Sequence, residues 1–189
     1  YGGGGYHCVH MSGEDIAIMR DKGLYAVTNP GSNTKLASGI APITDFLKEG
    51  VRVAIGTDGP ASNNALDMFR EMFLVTGLAK LREKDASAVD AMAVLKMATV
   101  NGARAMGLPD ADVLARGKLA DMILIDLNQP NMQPLNNIAK NLVYSGSKQN
   151  VIMTMINGRI LYEKGNFNTK EQPWEIYGKA EQIRKKIMG

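Results

Sequence analysis

Residues 51–58 have the sequence Val51-Arg52-Val53-Ala54-Ile55-Gly56-Thr57-Asp58. Apart from Arg52, the first five residues are apolar, as in a parallel strand that is covered by helices on both faces. Asp58 follows at the carboxyl end of this strand, where parallel α/β folds bind their ligands. An Asp-Gly pair is also a common turn, but Ala61-Ser62-Asn63-Asn64 extends it into a long, mostly polar loop, which favours a site. We therefore predict that Asp58 is an active-site carboxylate.

Strand and helix patterns alternate around this stretch. A short apolar strand is predicted at 24–28, and Asn29-Pro30 ends it. Three helices are predicted between clear start and stop signals: from a capping box at Ser12 and Asp15 to Gly23, from Pro42 to Gly50, and from Val100 to Met106. Two more are predicted from their starts. One begins after a cap at Asn64 and has Phe69, Met72 and Phe73 facing inward, and the other begins after a capping box at Ser87 and Asp90. This alternation is typical of a parallel α/β fold.

The two ends of the chain differ from this pattern. Residues 2–5 are consecutive glycines, which form regular structure at an entropic cost, so we predict that residues 1–6 are a linker or a scar. After Leu108, an apolar strand is expected at 122–126, and Asn157-Gly158 predicts a hairpin within residues 151–162. We expect a small β-rich unit over 108–165 and a terminal helix at about 171–188.

Composition excludes several classes of protein. The 189 residues carry a formal net charge of +3, which is too small to indicate nucleic-acid binding. No apolar run approaches the ~20 residues of a membrane span, and no signal-peptide pattern opens the sequence. The single cysteine, Cys8, is typical of a reducing compartment. We expect a cytoplasmic protein that binds neither nucleic acid nor membrane.

The two histidines, His7 and His10, lie three residues apart near the start of the chain. In a strand, residues at this spacing point to opposite faces, so we do not expect them to share one metal ion. His7 lies nearest a strand end and is the better candidate for acid–base chemistry. For Cys8, an ordinary buried thiol is the favoured interpretation over a nucleophile.

Polar residues also follow the strand at 24–28. The stretch 29–39 is either a loop of turn residues or a polar wall that binds substrate through amides, hydroxyls and an amine. Together with the loop after Asp58, it supplies the candidate substrate-binding residues Asn29, Ser32, Asn33, Lys35, Ser62 and Asn63.

Five motifs, read in order, resemble one family. HCVHMS (7–12), NPGSNTKLASGIAP (29–42), VRVAIGTDGPASNNALDMF (51–69), GKLADMILIDL (117–127) and VIMTMINGRILY (151–162) are similar to the C-terminal part of the metal-dependent amidohydrolase superfamily. The nearest branch holds 5-methylthioadenosine/S-adenosylhomocysteine deaminases and chlorohydrolases. The resemblance runs from His7 to Phe167. It implies an α/β fold in which residues 7–107 form strands 6–8 of a (β/α)8 TIM barrel with their helices, 108–167 half of a small β-sandwich, and 168–189 a C-terminal helix.

The resemblance also implies a chemistry. A divalent metal, zinc in most relatives with iron and other metals as alternatives, is held by histidines and by the residue that matches Asp58. Metal-bound hydroxide attacks the amine-bearing carbon of a purine, with Asp58 accepting a proton and His7 stabilising developing charge. The family's His-x-His and His-x-x-Glu segments are absent from this sequence, so the other ligands are expected outside this chain. We therefore expect the chain to be inactive alone and the enzyme to be a homo-oligomer.

Three alternatives remain open at this point. A chlorohydrolase acting on a triazine, or a guanine deaminase, would use the same motifs. A dihydroorotase-like or hydantoinase-like enzyme would keep the barrel, although the loops at 29–39 and 62–64 argue against it. A non-catalytic module that binds a ligand or partner is the alternative from a different class, and its open barrel edges would need covering.

Overall fold

The computed structural model describes residues 3–189. The first part of the chain contains β1 (Gly4–Tyr6), α1 (Gly13–Asp21), β2 (Tyr25–Thr28), α2 (Pro30–Lys35), α3 (Ile43–Lys48), β3 (Arg52–Ile55), α4 (Pro60–Asn63), α5 (Met68–Glu83), α6 (Ala91–Ala98) and α7 (Val100–Ala105). The second part contains β4 (Met122–Ile125), α8 (Ile138–Tyr144), β5 (Val151–Ile156), β6 (Arg159–Glu163), β7 (Asn166–Phe167) and α9 (Pro173–Met188). None of the helices in the described chain has the length and apolarity that crossing a membrane requires.

The first three strands form a parallel sheet in the order β1-β2-β3. Ala26 pairs with Val53 and Thr28 with Ile55, and both strands are almost entirely buried. The parallel sheet and its alternating helices confirm the predicted α/β class. Because all three strands run the same way, the segments that follow them emerge at one edge of the sheet.

The glycine run corrects the sequence prediction of a linker or scar over residues 1–6. Gly4–Tyr6 form β1 and pair with β2, Gly4 opposite Tyr25. A Cβ atom on Gly4 would collide with the main chain of Tyr25. The missing side chain therefore permits a close approach between strands, which outweighs the entropic cost of glycine. Tyr1 and Gly2, which the prediction also covered, lie outside the described residues.

The main core lies between the sheet and the helices. Phe46 of α3, Val53 of β3 and Val94 of α6 are at most 1% exposed, and α8 adds Val143 to the same cluster. Thus a helix beyond the predicted boundary at Leu108 shares the core of the first part.

Several predicted helix details are wrong. Asn64 does not cap the long helix: it has a left-handed φ of 68° after α4, and Asp67 caps α5 by accepting from Phe69 N. Phe73 is 51% exposed rather than inward-facing. Asp90 alone caps α6, because Ser87 bonds Asp85 instead.

The second sheet is antiparallel, in the order β4-β5-β6-β7. The predicted hairpin is confirmed: β5 and β6 pair next to Asn157-Gly158, and both turn residues have positive φ angles, 48° and 77°, as a type I′ turn requires. The terminal helix is also confirmed as α9.

A cavity of about 710 Å³ lies against the parallel sheet. Val27 and Ala54 line it, whereas their neighbours Ala26 and Val53 belong to the core packed under the helices. Ala98 and Gly102 also line it, so the cavity extends from the sheet to α6 and α7. Neither His7 nor Asp58 lines it, so the candidate chemistry lies beyond its rim, at the carboxyl edge of the strands.

Candidate functional site

Asp58 lies three residues after β3 ends and has a φ of 60°, which is uncommon for a residue with a side chain. Its Oδ2 atom accepts hydrogen bonds from Ser32 Oγ and Ser62 Oγ, each at 2.7 Å. Its Oδ1 atom accepts from the Gly59 N–H at 2.8 Å. The two serines belong to different helices, α2 and α4, so this carboxylate is the point at which the helices meet.

These hydrogen bonds set the charge of Asp58. Donation from Ser32, then from Ser62 and the Gly59 amide, lowers the pKa of the Asp58 carboxyl from 3.8 to about 2, with a smaller contribution from the charge of His7. All three donors stabilise the ionised form. Asp58 is therefore a carboxylate at neutral pH and presents a fixed negative charge at the sheet edge.

His7 faces Asp58 from the end of β1. Its main-chain N–H donates to Val27 O at 2.8 Å, and the residue has a φ of 64°. The ring Nδ1 lies 2.7 Å from Asn33 Oδ1, an acceptor that favours the tautomer with the proton on Nδ1. The other nitrogen, Nε2, lies 3.8 Å from Asp58 Oδ2. The side chains of His7 and Asp58 are 42% and 32% exposed, so a small molecule can reach both.

The stretch after β2 is a short helix rather than the predicted loop. Pro30 occupies the first turn of α2, and residues 30–33 are buried. Pro has a φ suited to that position and no N–H to leave unpaired, which the interpretation as turn residues overlooked. The helix directs Ser32 toward Asp58 and Asn33 toward His7.

The other predicted substrate-binding residues make different contacts. Lys35 Nζ donates to Ala61 O at 2.8 Å and to Asn64 Oδ1 at 2.5 Å, and thereby ties α2 to the end of α4. Asn29 is 3% exposed, and its side-chain oxygen lies against Gly56 closely enough to exclude a Cβ atom there. Their contacts are structural in this state, whereas Ser32, Ser62 and Asn33 bond the candidate catalytic pair directly.

Glu71 was missed by the sequence prediction. This α5 residue is fully buried, and its carboxylate accepts from the Gly31 N–H at 2.7 Å and from Asn63 Nδ2 at 2.8 Å. Asn63, the remaining predicted residue, also donates to Thr57 O at 2.6 Å. A signal was present in the sequence: Glu71 lies four residues before Val75, on the face of α5 that is buried.

Asp58 and His7 offer a carboxylate oxygen and an imidazole nitrogen, both of which are zinc ligands. Within residues 3–189, no three His, Cys, Asp or Glu side chains converge into a metal-binding group. His10 is exposed. Cys8 is 7% exposed, and burial raises the pKa of its thiol, which disfavours a nucleophilic thiolate. The donor types therefore fit part of a zinc site that needs additional ligands.

The sequence matches known proteins over most of its length. Residues 3–161 match the Amidohydrolase family. A 5-methylthioadenosine/S-adenosylhomocysteine deaminase from Dictyoglomus thermophilum is 44% identical over 171 residues, which are 90% of this chain and 40% of that protein. A 5'-deoxyadenosine deaminase from Methanothermobacter thermautotrophicus is 42% identical over 168 residues, 89% of this chain and 39% of that protein. The chain thus spans less than half the length of these relatives.

Two crystal structures share the fold. An adenosine deaminase from Xanthomonas campestris with bound zinc has a TM-score of 0.93 and 35% identity, over 97% of this chain and 42% of that one. Atrazine chlorohydrolase from Arthrobacter aurescens, complexed with zinc, has a TM-score of 0.86 and 24% identity, over 94% of this chain and 40% of that one. At this lower identity, the likeness concerns the fold alone.

Proposed function

Because the chain belongs to the amidohydrolase family, as its motifs predicted, we propose that it is the C-terminal part of a metal-dependent deaminase acting on a purine nucleoside of the 5-methylthioadenosine or S-adenosylhomocysteine type. The observation that carries this proposal is the ionised Asp58 facing His7 Nε2 at 3.8 Å, at the carboxyl edge of a parallel sheet. Zinc is the proposed metal, and its other ligands would come from chain outside these 189 residues.

Asp58 is proposed both to ligate the metal and to accept a proton from the attacking water. A carboxyl group with a pKa of about 2 is a weak base, so its hydrogen bonds favour the ligand role. Zinc held by Asp58 and ligands from the rest of the enzyme would lower the pKa of a bound water toward neutrality and so reduce the cost of passing its proton to Asp58. The remaining site residues then keep Asp58 charged and oriented.

His7 is proposed to stabilise charge that develops during attack. With Nδ1–H donated to Asn33 Oδ1, its Nε2 atom is directed toward Asp58 and can exchange a proton with a reacting group. The reaction is hydrolytic. The water oxygen forms a bond to the amine-bearing carbon of the purine, one proton of the water passes to the amine nitrogen, and the C–N bond breaks to release ammonia. The polar wall formed by α2 and α4 is proposed to contact the substrate.

Deamination is preferred to dechlorination on the basis of sequence similarity. The relatives that are 42–44% identical are named as deaminases, whereas the chlorohydrolase is 24% identical. A carboxylate held by two serine hydroxyls beside a histidine would serve either reaction, so the site residues themselves do not distinguish them.

The test is Asp58→Asn in the proposed full-length enzyme. Asn keeps the size of the side chain but loses the charge. We expect turnover of 5-methylthioadenosine, measured as ammonia released, to fall by at least ~10²-fold, and the zinc content of the purified enzyme to fall as well. Asp110→Asn is the matched control, since Asp110 is an exposed carboxylate outside the site. Ordinary activity and zinc content in Asp58→Asn would refute the proposed role.

A second experiment tests whether the chain is only part of the enzyme. The 189-residue chain, purified by itself and supplied with zinc, is expected to release no ammonia from 5-methylthioadenosine. Stoichiometric zinc binding and turnover by this chain would contradict the proposal that the remaining ligands lie elsewhere.

A further inference from the structure

We propose that Glu71 is a positioning residue that clamps α2 to α4 and thereby holds Ser32 and Ser62 on Asp58. The effect on turnover rests on the proposed deaminase function, whereas the clamp itself is a property of this chain. Glu71 touches neither Asp58 nor His7, so its influence would pass through the residues that it binds.

The geometry of the clamp follows the chain. One carboxylate oxygen of Glu71 accepts from the Gly31 N–H at 2.7 Å, and the other accepts from Asn63 Nδ2 at 2.8 Å. Gly31 directly precedes Ser32, and Asn63 directly follows Ser62. Both serine hydroxyls converge on the same atom, Asp58 Oδ2, at 2.7 Å. Each end of the clamp is therefore one residue from a hydroxyl that donates to Asp58.

The clamp requires a carboxylate. Both of its partners are N–H donors, and a carboxylate is the side chain that offers two acceptor oxygens and no donor. A glutamine of the same size would turn an NH2 group toward one of these donors. Turning the Asn63 amide over would offer its unpartnered Oδ1 to the new NH2 group, but it would lose the bond from Nδ2 to Thr57 O at 2.6 Å. Glu71 is fully buried, so water does not readily replace a lost partner.

Burial of Glu71 without an ion-pair partner among the described residues argues against a role in stability alone. No Lys, Arg or His within the described residues forms an ion pair with it. A buried carboxylate without a counter-ion is costly, and an apolar residue of similar volume is often as stable or more so. On the same face of α5, one and two turns after Glu71, Val75 and Ala79 are buried apolar residues. Glu71 departs from that pattern only where it reaches the two serine-bearing helices.

The first experiment measures the clamp directly, by amide exchange in protein labelled with ¹⁵N at glycine and asparagine. In Glu71→Gln, we expect either the Gly31 amide or the Asn63 side-chain amide to exchange about tenfold faster or more, since one bond to a charged acceptor is lost. Thr76→Val is the matched control: Thr76 is also fully buried on α5 but bonds only Phe73 O. Unchanged exchange at both groups in Glu71→Gln would overturn the proposal.

The second experiment asks whether Glu71 acts through the serines, and it uses the proposed full-length enzyme. We expect Glu71→Gln to lower kcat by about 10- to 100-fold, as loss of a ligand-supporting contact does, with KM little changed and Thr76→Val active. In a Ser32→Ala/Ser62→Ala background, the same substitution should cost less than about threefold, because coupled residues are not additive. An equal loss in both backgrounds would overturn the positioning role.

The two experiments separate the inference from the proposed function. An enzyme without deaminase activity in its unaltered form would refute the proposed function, and the exchange of the Gly31 and Asn63 amides would still decide whether the clamp exists.

Discussion

Gly31→Ala offers a sharp test of packing at the site, because the structure gives the contact that the new methyl group would meet. A Cβ atom on Gly31 would lie 2.8 Å from Asn63 Nδ2 and 2.9 Å from Asn63 Oδ1, and closer still to a carboxylate oxygen of Glu71. Asn63 and Glu71 are both buried and bonded to each other. Neither can move away without losing a hydrogen bond.

The magnitude follows from three effects. Overpacking a buried site costs about 1–3 kcal/mol, and a lost hydrogen bond to a charged group costs about 1.5–3 kcal/mol. Alanine offsets about 0.5–1 kcal/mol through its better helix propensity. We therefore expect Gly31→Ala to lower the free energy of unfolding by roughly 2–5 kcal/mol.

The assay is urea unfolding followed by circular dichroism, with Gly77→Ala as the control. Gly77 lies within α5 and has no atom within 4 Å of the position of its missing Cβ. There alanine should raise the free energy of unfolding by about 0.5–1 kcal/mol, so the two variants are expected to change stability in opposite directions. Equal stability of the two variants would refute the close packing of Gly31 against the Glu71–Asn63 pair.

Three further outcomes are expected. Ser32→Ala should raise the pKa of Asp58 from about 2 toward 3.8, measured by ¹³C NMR titration, and an unchanged pKa would contradict the role of Ser32. The lowered pKa of Asp58 stabilises the fold above pH ~4, and this stabilisation is lost as the pH falls toward ~2. The variant should therefore lose less stability than the unaltered protein over that pH range. Asn33→Leu should reduce the fraction of His7 that carries its proton on Nδ1, measured in ¹H–¹⁵N correlations, and an unchanged fraction would contradict the role of the 2.7 Å contact with Asn33. Phe46→Ala, at a fully buried position, should lower the free energy of unfolding by about 3–5 kcal/mol; a loss below 1 kcal/mol would contradict its place in the core.

The sequence predicted those features that depend on local pattern. An apolar run closed by Asp58 indicated a buried parallel strand with a polar residue at its end, and the structure has that arrangement. Asn157-Gly158 predicted its hairpin for an equally local reason, since both residues tolerate positive φ angles.

The features that the sequence did not predict depend on contacts between distant segments. Gly4 forms a strand because Tyr25 lies against it, and nothing within the glycine run indicates that neighbour. Glu71 bonds Gly31, which is 40 residues away, so its role emerges only when α2 and α5 are placed together. Asn64 is a residue type that often caps helices, but here it ends α4. Asp67 caps α5 instead, because its carboxylate accepts from the main-chain N–H groups of Phe69 and Arg70.

Besides meeting at Asp58, the two helices that carry the serines are joined at two further points. Lys35 connects them at the exposed side through Ala61 O and Asn64 Oδ1, and Glu71 connects them at the buried side. Two attachments on opposite sides prevent one helix from rotating against the other. The conformational entropy of this wall, about 0.5–1.5 kcal/mol for each immobilised side chain, is thus lost when the protein folds and not when a ligand arrives. A ligand would meet hydroxyls and amides that already have their bound orientation, and this preorganisation favours tight binding of a small, rigid molecule.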